Sequence, residues 1–451
     1  MARDIIIHRV NDWSPLDGRD QVWASVDLSA PEVNFGIHQF QQRLWSSGYV
    51  GVGRLYGKDG RCLHTGGKEH VIAAASQYGM DPWRMLEAVM TDDEYDDYTA
   101  EMDAAGKTLF RVFYDQPLIK LSQDAEHNGE LLYALGFIAS CYSLCKKGLK
   151  RTMFHQEENY SAKVRGRVEV GKNIRVNTCR GRNDRFYCKY IDFTEDNIEN
   201  RILKATLLKC RGVIGRRFPA AAEVSRRAAY CLHALRRVKS VRIKASDFSG
   251  ADASGLYMYY KPLLQQARCI CGQKYYAGGD GAGSSAAKSV FTVPYMINME
   301  LLFEFYTRVV LKRSIDGDKY TMDPYSQRLY IQRGVGELSE AERGIHLIPY
   351  CIPDIIIRDR RSQKPVAVID AKYKPNTRSA RSDTHQLLSY VLLTGVERCG
   401  FAFPGAESRA KQMAATGTPA LPLAAGPLSY YELILGNDPE NAAEALRQML
   451  P

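Results

Sequence analysis

The sequence has no long uncharged apolar run, and this absence excludes a membrane-spanning helix. Its most apolar uncharged stretch, from Leu131 to Cys145, has fifteen residues, fewer than the roughly 20 that cross a bilayer. The longer segment from Gln412 to Tyr431 contains three prolines, which break a helix. The chain does not open with a charged segment followed by an apolar one, so we expect no signal peptide and a cytoplasmic protein.

A regular cysteine spacing is also missing. Eleven cysteines are present, but the closest pairs, Cys141/Cys145 and Cys269/Cys271, lack the two-residue gap of a zinc knuckle. The sequence therefore predicts reduced, buried thiols rather than a metal-binding motif of that kind.

A nucleotide-binding loop is the third absence. Lys288 and Ser289 resemble the end of a Walker A motif, but Ala282 and Ala287 occupy its two framing glycine positions. The surrounding Gly-, Ser- and Ala-rich stretch is typical of a flexible linker. We therefore predict that the chain itself binds no nucleotide and that a domain boundary lies at residues 276–290.

What the chain does have is length, a folded-protein composition and excess positive charge. Its 451 residues exceed one ordinary domain, and its 45% hydrophobic and 25% charged residues are typical of folded proteins. The formal net charge of +10 suits a polyanion such as DNA. We predict an α+β chain with a mixed α/β N-terminal docking region (1–150), a basic region (151–275), a linker (276–290) and a C-terminal domain (291–451).

Hydrophobic periodicity predicts the individual elements of the first half. We expect strands at 4–10, 21–28, 49–56, 109–113 and 117–121, and helices at 70–78, 82–90 and 129–145. A further helix is expected from Asn197 to Arg217. Its predicted inner face carries Ile198, Ile202, Ala205 and Leu208.

Two segments concentrate the positive charge. From Arg151 to Tyr190 ten basic residues face four acids, and from Arg211 to Lys244 ten face one. Alternation on either side of Gly171 predicts a β-hairpin formed by residues 162–170 and 173–178. We expect this hairpin to contact a polyanion or an acidic partner surface, although a solvated face is the plainer interpretation. The residues expected to make the contacts are Arg165, Arg167, Lys172 and Arg175.

The clearest chemical pattern lies in the C-terminal domain. Two stretches rich in β-branched residues, 353–358 and 365–374, flank a polar turn centred on Ser362. If they pair as an antiparallel hairpin, positions whose numbers sum to 724 face each other. Asp354 and Asp370 are then cross-strand neighbours, with Cβ atoms roughly 5 Å apart. Lys372 lies two residues further on, and so on the same face as Asp370.

Two carboxylates this close repel each other, and an apolar sheet raises the cost of ionising both. Mg²⁺, which binds one or two carboxylates together with substrate phosphate, resolves the conflict. The ion would lower the pKa of a bound water, and Lys372 would orient this water or help to deprotonate it. We therefore predict a metal-dependent nuclease centre; the alternative is a surface ion pair between Asp370 and Lys372.

Pro353-Asp354, fifteen intervening residues and Asp370-Ala371-Lys372 resemble the signature of the restriction-endonuclease-like PD-(D/E)xK superfamily. The resemblance implies an α/β core with a mixed sheet flanked by helices, and Mg²⁺ as the cofactor, with Mn²⁺ as an alternative. It also implies that the metal ligands are Asp354, Asp370 and the backbone carbonyl of Ala371.

Two further elements agree with this superfamily. Glu304, on a helix expected from 298 to 311, matches a glutamate that commonly joins the metal or water network. Gln386 and Tyr390, on a helix expected from 383 to 393, match an accessory Gln-x-x-x-Tyr element. Ordinary helix packing is the alternative interpretation of all three residues.

The wider pattern resembles McrC, the nuclease subunit of McrBC-type modification-dependent restriction systems. It is carried by Met299-x-x-Leu302-Phe303-Glu304, by the Arg-Gly element in Val164–Val168 and by the helix at Asn197–Leu207, and it covers about residues 154–390. The resemblance implies a DNA endonuclease subunit that docks on a hexameric AAA+ GTPase resembling McrB and stimulates it. The basic hairpin is the candidate for entering the ring.

Two alternatives remain from the sequence. One is a self-sufficient endonuclease that finds DNA with its own N-terminal half. The other is a non-cleaving adaptor that activates a partner NTPase, although an adaptor need not keep Asp354, Asp370 and Lys372 together.

Overall fold

The computed structural model describes residues 5–17, 21–29, 34–104, 106–114, 116–117, 119–121, 129–219, 221–251, 255–276, 290–325, 328–330, 350–374, 381–413, 428–437, 447 and 449–450. The chain forms two compact units. The first comprises Met1–Phe113, Leu118–Lys120 and Pro294–Pro451, and the second comprises Tyr114–Pro117 and Leu121–Val293.

The α-helices are α1 (Pro82–Met90), α2 (Tyr95–Ala104), α3 (Gly129–Lys147), α4 (Val170–Val176), α5 (Ile198–Arg217), α6 (Ala222–Ala234), α7 (Lys261–Tyr276), α8 (Met299–Ser314) and α9 (Arg381–Thr394). Short 3₁₀ helices lie at Gln21–Ser25, Thr178–Arg180, Ala245–Phe248 and Gly255–Tyr260. In the described part of the chain, no helix is both long and apolar enough to cross a membrane.

The strands are β1 (Ile5–Asn11), β2 (His38–Phe40), β3 (Arg43–Trp45), β4 (Tyr49–Arg54), β5 (His64–Thr65), β6 (Lys68–Ala75), β7 (Phe110–Val112), β8 (Ile119–Leu121), β9 (Thr152–Ser161), β10 (Arg167–Val168), β11 (Arg185–Thr194), β12 (Val290–Thr292), β13 (Tyr295–Asn298), β14 (Tyr320–Met322), β15 (Leu329–Tyr330), β16 (Tyr350–Cys351), β17 (Ile355–Asp359), β18 (Pro365–Ala371), β19 (Arg398–Pro404), β20 (Arg409–Met413) and β21 (Ser429–Leu435).

In the first unit, strands from the N-terminal segment and strand β13, which lies much later in the sequence, form one sheet. Its strand order is β1-β6-β4-β13-β7. Strand β13, which precedes α8, is antiparallel to both β4 and β7. Gly51 makes this pairing possible, because it has φ +141° and a Cβ there would lie 2.2 Å from the Tyr295 carbonyl oxygen. The units therefore differ from the four successive regions expected from the sequence. The predicted linker falls largely outside the described residues.

Helix α8 carries further contacts to the N-terminal segment. The buried guanidinium of Arg308 pairs with Glu94 at 3.2 Å, and Lys312 Nζ lies 3.1 Å from the same carboxylate. Helix α1 packs against α8. Residues before β7 and residues after β13 therefore share one hydrophobic and ionic framework.

A second sheet in this unit has the order β14-β17-β18-β19-β21-β20. Pairing is antiparallel between β17 and β18 but parallel between β18 and β19 and between β19 and β21. Helices α8 and α9 both contact β18, and α9 buries Leu387, Tyr390 and Val391 in a core shared with Val368 and Phe401. The predicted α+β class is confirmed.

The second unit combines helices with a small sheet. Helix α3 packs against α5, α6 and α7, and β10-β11-β9 form a three-stranded antiparallel sheet. The predicted helix α5 is confirmed, and the Asn197 side chain caps it by accepting from the Asn200 N–H. One predicted inner residue is wrong, since Leu208 is exposed.

Several expected elements are confirmed and others are wrong. Helix α1 has the predicted bounds, and α3, β1, β4 and β7 lie within two residues of theirs. Residues 70–78, expected to be helical, belong largely to β6, which lies between β1 and β4. Pairing on both sides outweighs the helix propensity of its alanines. The strand expected at 21–28 begins as a 3₁₀ helix.

The expected basic hairpin is also wrong. Residues 170–176 form α4 instead, and the long antiparallel pair is β9 with β11. The Asn177 side chain, which is buried at the end of α4, donates to Asn159 and to the Arg185 carbonyl. These bonds fix the segment as a helix against the sheet, which a pattern of alternating residues does not disclose.

Candidate functional site

The hairpin of β17 and β18 has the predicted register. Three successive pairs have numbers that sum to 724: Ile355 with Ile369, Ile356 with Val368, and Ile357 with Ala367. All six side chains are buried, so both faces of the hairpin belong to the apolar core. The register shifts only beyond Ile357, away from the acidic residues. Asp354 and Asp370 therefore lie at the same end of the hairpin.

The two carboxylates have different surroundings. Asp354 Oδ2 accepts a hydrogen bond from the Ala371 N–H at 2.7 Å. Asp370 is fully buried, and its Oδ2 lies 2.6 Å from Lys372 Nζ. Apart from this ion pair, neither oxygen of Asp370 has a hydrogen-bond partner among the described residues. Buried carboxylate oxygens without donors are costly unless a cation or a donor joins them.

Helix α8 contributes a third acid. The Asn298 side chain caps α8 by accepting from the Glu300 and Leu301 N–H groups, and Glu304 follows in the second turn. The Tyr325 hydroxyl donates to Glu304 Oε1 at 3.2 Å. The predicted helix is confirmed, and it brings Glu304 to the same cavity as Asp354.

The three acids perturb one another. Burial raises the pKa of Asp354 well above its usual value, and the charges of Glu304 and Asp370 raise it further. Burial likewise raises the pKa of Glu304, with a contribution from Asp370. Burial also raises the pKa of Asp370, although Lys372 opposes that shift. Ionising all three acids is therefore unfavourable without added positive charge.

Lys372 is held by a short chain of hydrogen bonds. Its Nζ donates to Gln386 Oε1 at 3.2 Å, Gln386 Nε2 donates to the Tyr390 hydroxyl at 2.6 Å, and that hydroxyl donates to the Ile352 carbonyl at 3.1 Å. Burial alone would lower the pKa of Lys372, but the charges of Asp370 and Asp354 outweigh it and raise the pKa. The amine is therefore protonated at neutral pH.

These groups surround a cavity of about 470 Å³ that lies within the first unit; we refer to it as the carboxylate cavity. Of the residues predicted for the site, Glu304, Asp354, Ala371 and Lys372 line it. Asp370 is paired with Lys372, which lines the cavity. Gln386 and Tyr390 are linked to Lys372 by hydrogen bonds. Their catalytic and metal-binding roles remain predictions.

Sequence reasoning missed part of the cavity wall, namely Trp13, Tyr78, Glu300, Tyr373 and Lys374. Trp13 and Tyr78 come from the N-terminal segment, roughly 340 and 280 residues before the hairpin. No local pattern marks them, because long-range contacts, including the pairing of β13 with β4 and the packing of α1 against α8, bring the two parts of the chain together. Tyr373 and Lys374 follow the predicted Lys372 directly, so their nearness to it could have been noted.

Tyr373 ties the site to the N-terminal segment. Its hydroxyl donates to Asp12 Oδ2 at 2.6 Å and lies 2.9 Å from Ser76 Oγ. Asp12 also accepts from the Gln77 N–H, and burial raises its pKa to about 6. The residue directly after Lys372 is therefore held by the residues that directly follow β1 and β6.

The predicted basic contact residues lie elsewhere, in the second unit. Arg165 pairs with Asp192 at 3.2 Å and lies 4.0 Å from the Tyr190 ring centre, and Lys172 pairs with Glu157. Arg167 and Arg175 are exposed and have no ion pair within the described ranges. Gly166, with φ +71°, separates Arg165 from β10, so Arg165 lies outside the strand that carries Arg167.

A family model described as the McrBC 5-methylcytosine restriction system component matches residues 112–401. This chain belongs to the McrBC family. The predicted family resemblance is thereby confirmed. The McrBC match includes the hairpin, α8 and α9, but it excludes Asp12, Trp13 and Tyr78. None of the curated proteins matches the chain.

Two solved structures are similar to this McrBC-family chain. One is the half-complex from the tetradecameric assembly of Thermococcus gammatolerans McrB AAA+ hexamers with bound McrC; it is 12% identical with a TM-score of 0.41, covering 99% of this chain and 100% of that chain. The other is the Thermococcus gammatolerans McrBC complex, 13% identical with a TM-score of 0.29, covering 68% of this chain and 88% of that chain.

Proposed function

We propose that this chain is the Mg²⁺-dependent DNA endonuclease subunit of a modification-dependent restriction complex, and that the sheet carrying β17 and β18 is a PD-(D/E)xK core. One observation carries the proposal: in a McrBC-family chain, Glu304 of α8 and Asp354 and Lys372 at one end of the β17–β18 hairpin line one cavity, and Asp370 is paired with Lys372 beside it. A surface ion pair would not explain why Asp370 is fully buried.

The residues fit a divalent cation. Asp354, Asp370 and the Ala371 carbonyl are oxygen ligands of the type that Mg²⁺ prefers. The oxygens of Asp370 have few partners, and the raised pKa values of the acids express a deficit of positive charge. When bound, the ion would activate a water molecule and stabilise charge on the phosphodiester.

The protein groups would then have separate tasks. Lys372 is protonated, so it would donate hydrogen bonds to a phosphate oxygen or to the attacking water rather than remove a proton. Gln386 and Tyr390 would hold the Lys372 amine in place. Glu304, whose raised pKa favours proton uptake, would accept a proton near the water.

The partner that we propose is a hexameric AAA+ GTPase resembling McrB. The family resemblance supports this partner. So does the surface around Arg167 and Arg175, where Val164, Val170 and Ile174 are 54%, 64% and 48% exposed. Exposed apolar side chains beside unpaired cations favour a protein surface over bare DNA. We therefore propose that β9, β10, α4 and β11, here called the basic element, dock in the ring.

The decisive experiment measures cleavage of DNA with and without 5-methylcytosine, by the chain alone and together with its co-purified NTPase, with GTP or ATP and with Mg²⁺ or EDTA. We expect Mg²⁺-dependent cleavage of the modified DNA only when the NTPase and its nucleotide are present. Asp370→Asn assembled with the same partner is the matched control and should not cut.

Other outcomes would select the alternatives. Cleavage at the full rate without a partner would indicate a self-sufficient nuclease. Stimulation of the partner NTPase with no cleavage under any condition would indicate an adaptor. Cleavage that EDTA does not inhibit would contradict the role of the three acids.

A further inference from the structure

Outside the carboxylate cavity, one cluster of reactive side chains has no part in the proposed function. The sulfur atoms of Cys141, Cys145 and Cys231 all lie within 4.8 Å of one another in the second unit. Cys141 and Cys231 are fully buried, and Cys145 is 9% exposed. All eleven cysteines of the chain are free thiols.

The helices explain how three distant thiols meet. Cys141 and Cys145 are four residues apart on α3, so they lie on one face, one turn apart. Cys231 is on α6, which packs against α3. Because no short cysteine motif links the two helices, the usual zinc-binding spacings do not reveal this group.

We propose that Cys141, Cys145 and Cys231 bind a thiophilic divalent ion, Zn²⁺, which fastens α3 to α6. Zinc–sulfur bonds of about 2.3 Å place the sulfurs of a tetrahedral site roughly 3.8 Å apart. The observed spread needs only small rotations of the side chains to reach this. Soft thiolate ligands favour zinc over magnesium, so this site differs chemically from the carboxylate cavity.

The fourth zinc ligand is a water molecule. Among the described residues, no further histidine, cysteine or acid joins the cluster. Cys145, which is slightly exposed, marks the side on which water can reach the ion. Three cysteine ligands and one water molecule complete the four-coordinate, tetrahedral geometry that zinc prefers.

Cysteine binds zinc as the thiolate, so zinc binding would release the thiol protons of the cluster to solvent.

Other buried cysteines provide a matched comparison. Cys210, on α5 of the same unit, is 1% exposed but does not belong to the cluster. Ordinary packing of small apolar residues would explain Cys210 and the cluster equally. A zinc site predicts that only the three clustered thiols matter for metal content.

The test uses the full-length chain, produced in zinc-supplemented medium and purified without chelator. We expect about one zinc per chain by elemental analysis. Cobalt substitution should give a sulfur-to-cobalt charge-transfer absorption, which carboxylate ligands cannot produce. Cys231→Ser should lose the zinc and this absorption, while Cys210→Ser keeps both. Chelation should lower the midpoint of thermal unfolding of the wild type but not of Cys231→Ser.

If Cys231→Ser does not fold, Cys145→Ser at the more exposed position serves instead, and the metal content of the wild type stands by itself. Wild-type protein without zinc and without the cobalt absorption would overturn the proposal. So would a Cys145→Ser variant that keeps the full zinc content, or thiol titration showing two of the three sulfurs joined as a disulfide. Loss of cleavage does not enter this test, so it is independent of the proposed nuclease.

Discussion

The carboxylate cavity and the basic element differ in the burial and pairing of their charged side chains. In the cavity three acids are held close together, and burial together with their mutual repulsion raises their pKa values. In the basic element the cations are exposed, and acids on the neighbouring strands neutralise two of the four predicted contact residues, Arg165 and Lys172.

This comparison shows which of the charged groups destabilise the fold. Holding like charges in a buried site destabilises the fold, so it persists where a cation or a substrate compensates. Exposed cations with local partners cost little and contribute little. The excess of basic residues between Arg151 and Tyr190 therefore overstates the positive charge available to a partner, whereas the proposed chemistry rests on the few acids of the cavity.

The largest effect that we expect comes from removing either member of the buried ion pair. Asp370→Ala removes a proposed ligand of the ion, and Lys372→Ala removes the donor that we propose offsets developing charge on the phosphate. Each should reduce cleavage by at least about 10²–10³-fold, with partner binding unchanged. The measurement is single-turnover cleavage by the assembled complex. Lys364→Ala, a lysine in the exposed turn of the same hairpin, is the control, and an unimpaired Lys372→Ala enzyme would refute the site.

A smaller loss should follow from loosening Lys372. Gln386→Leu removes the acceptor of its amine while keeping a similar volume, and we expect about a tenfold lower cleavage rate, or roughly 1.4 kcal/mol. Because Gln386 acts through Lys372, the rate should change more than the KM for DNA. His385→Ala, on the exposed side of α9, should cleave normally. Equal rates for Gln386→Leu and the wild type would show that α9 does not position the amine.

The sequence predicts the acids and the lysine at the centre of the site better than it predicts the residues that line the rest of the cavity. The β17–β18 register follows from a local turn and two apolar strands, so Asp354, Asp370 and Lys372 can be placed together without a structure. Trp13 and Asp12 reach the same region through long-range contacts, such as the pairing of β13 within the N-terminal sheet and the hydrogen bond from Tyr373 to Asp12, and contacts of this kind leave no periodic signal. The hairpin predicted in the basic segment is wrong for a related reason. The Asn177 side chain donates hydrogen bonds to Asn159 and Arg185, and these bonds outweigh the alternating pattern of the segment.

The cost of the buried acids can be measured as stability. Asp354→Asn keeps an acceptor for the Ala371 N–H but removes the charge. The pKa of Asp354 is raised in the folded state, so its ionisation destabilises the fold as pH rises through that pKa and has no effect below about pH 4. Without Mg²⁺ the variant should therefore unfold a few degrees higher than the wild type at neutral pH, with no difference in acid.

Mg²⁺ should reverse this order, because it compensates the charge of the wild type alone. Thermal unfolding across pH, with and without Mg²⁺, provides the measurement. Asp359→Asn is the control: hydrogen bonds from Ser362 lower the pKa of Asp359, so its substitution should be neutral or slightly destabilising. If the unfolding temperature of the wild type changes with neither Mg²⁺ nor pH, the three acids do not destabilise the fold electrostatically.

The smallest effect concerns the basic element, and it separates cations that are available from those already paired. The double substitution Arg167→Ala and Arg175→Ala removes the two predicted contact residues that form no ion pair with any described residue. Arg165→Ala with Lys172→Ala removes two that are neutralised. If the basic element docks in the ring, the first double variant should lower stimulation of the partner NTPase by roughly threefold, about 0.7 kcal/mol, and the second by less. Salt-dependent DNA binding by the chain alone should hardly change. A fall in DNA binding with normal stimulation would assign the element to DNA, and no change in either would leave these arginines as ordinary surface residues.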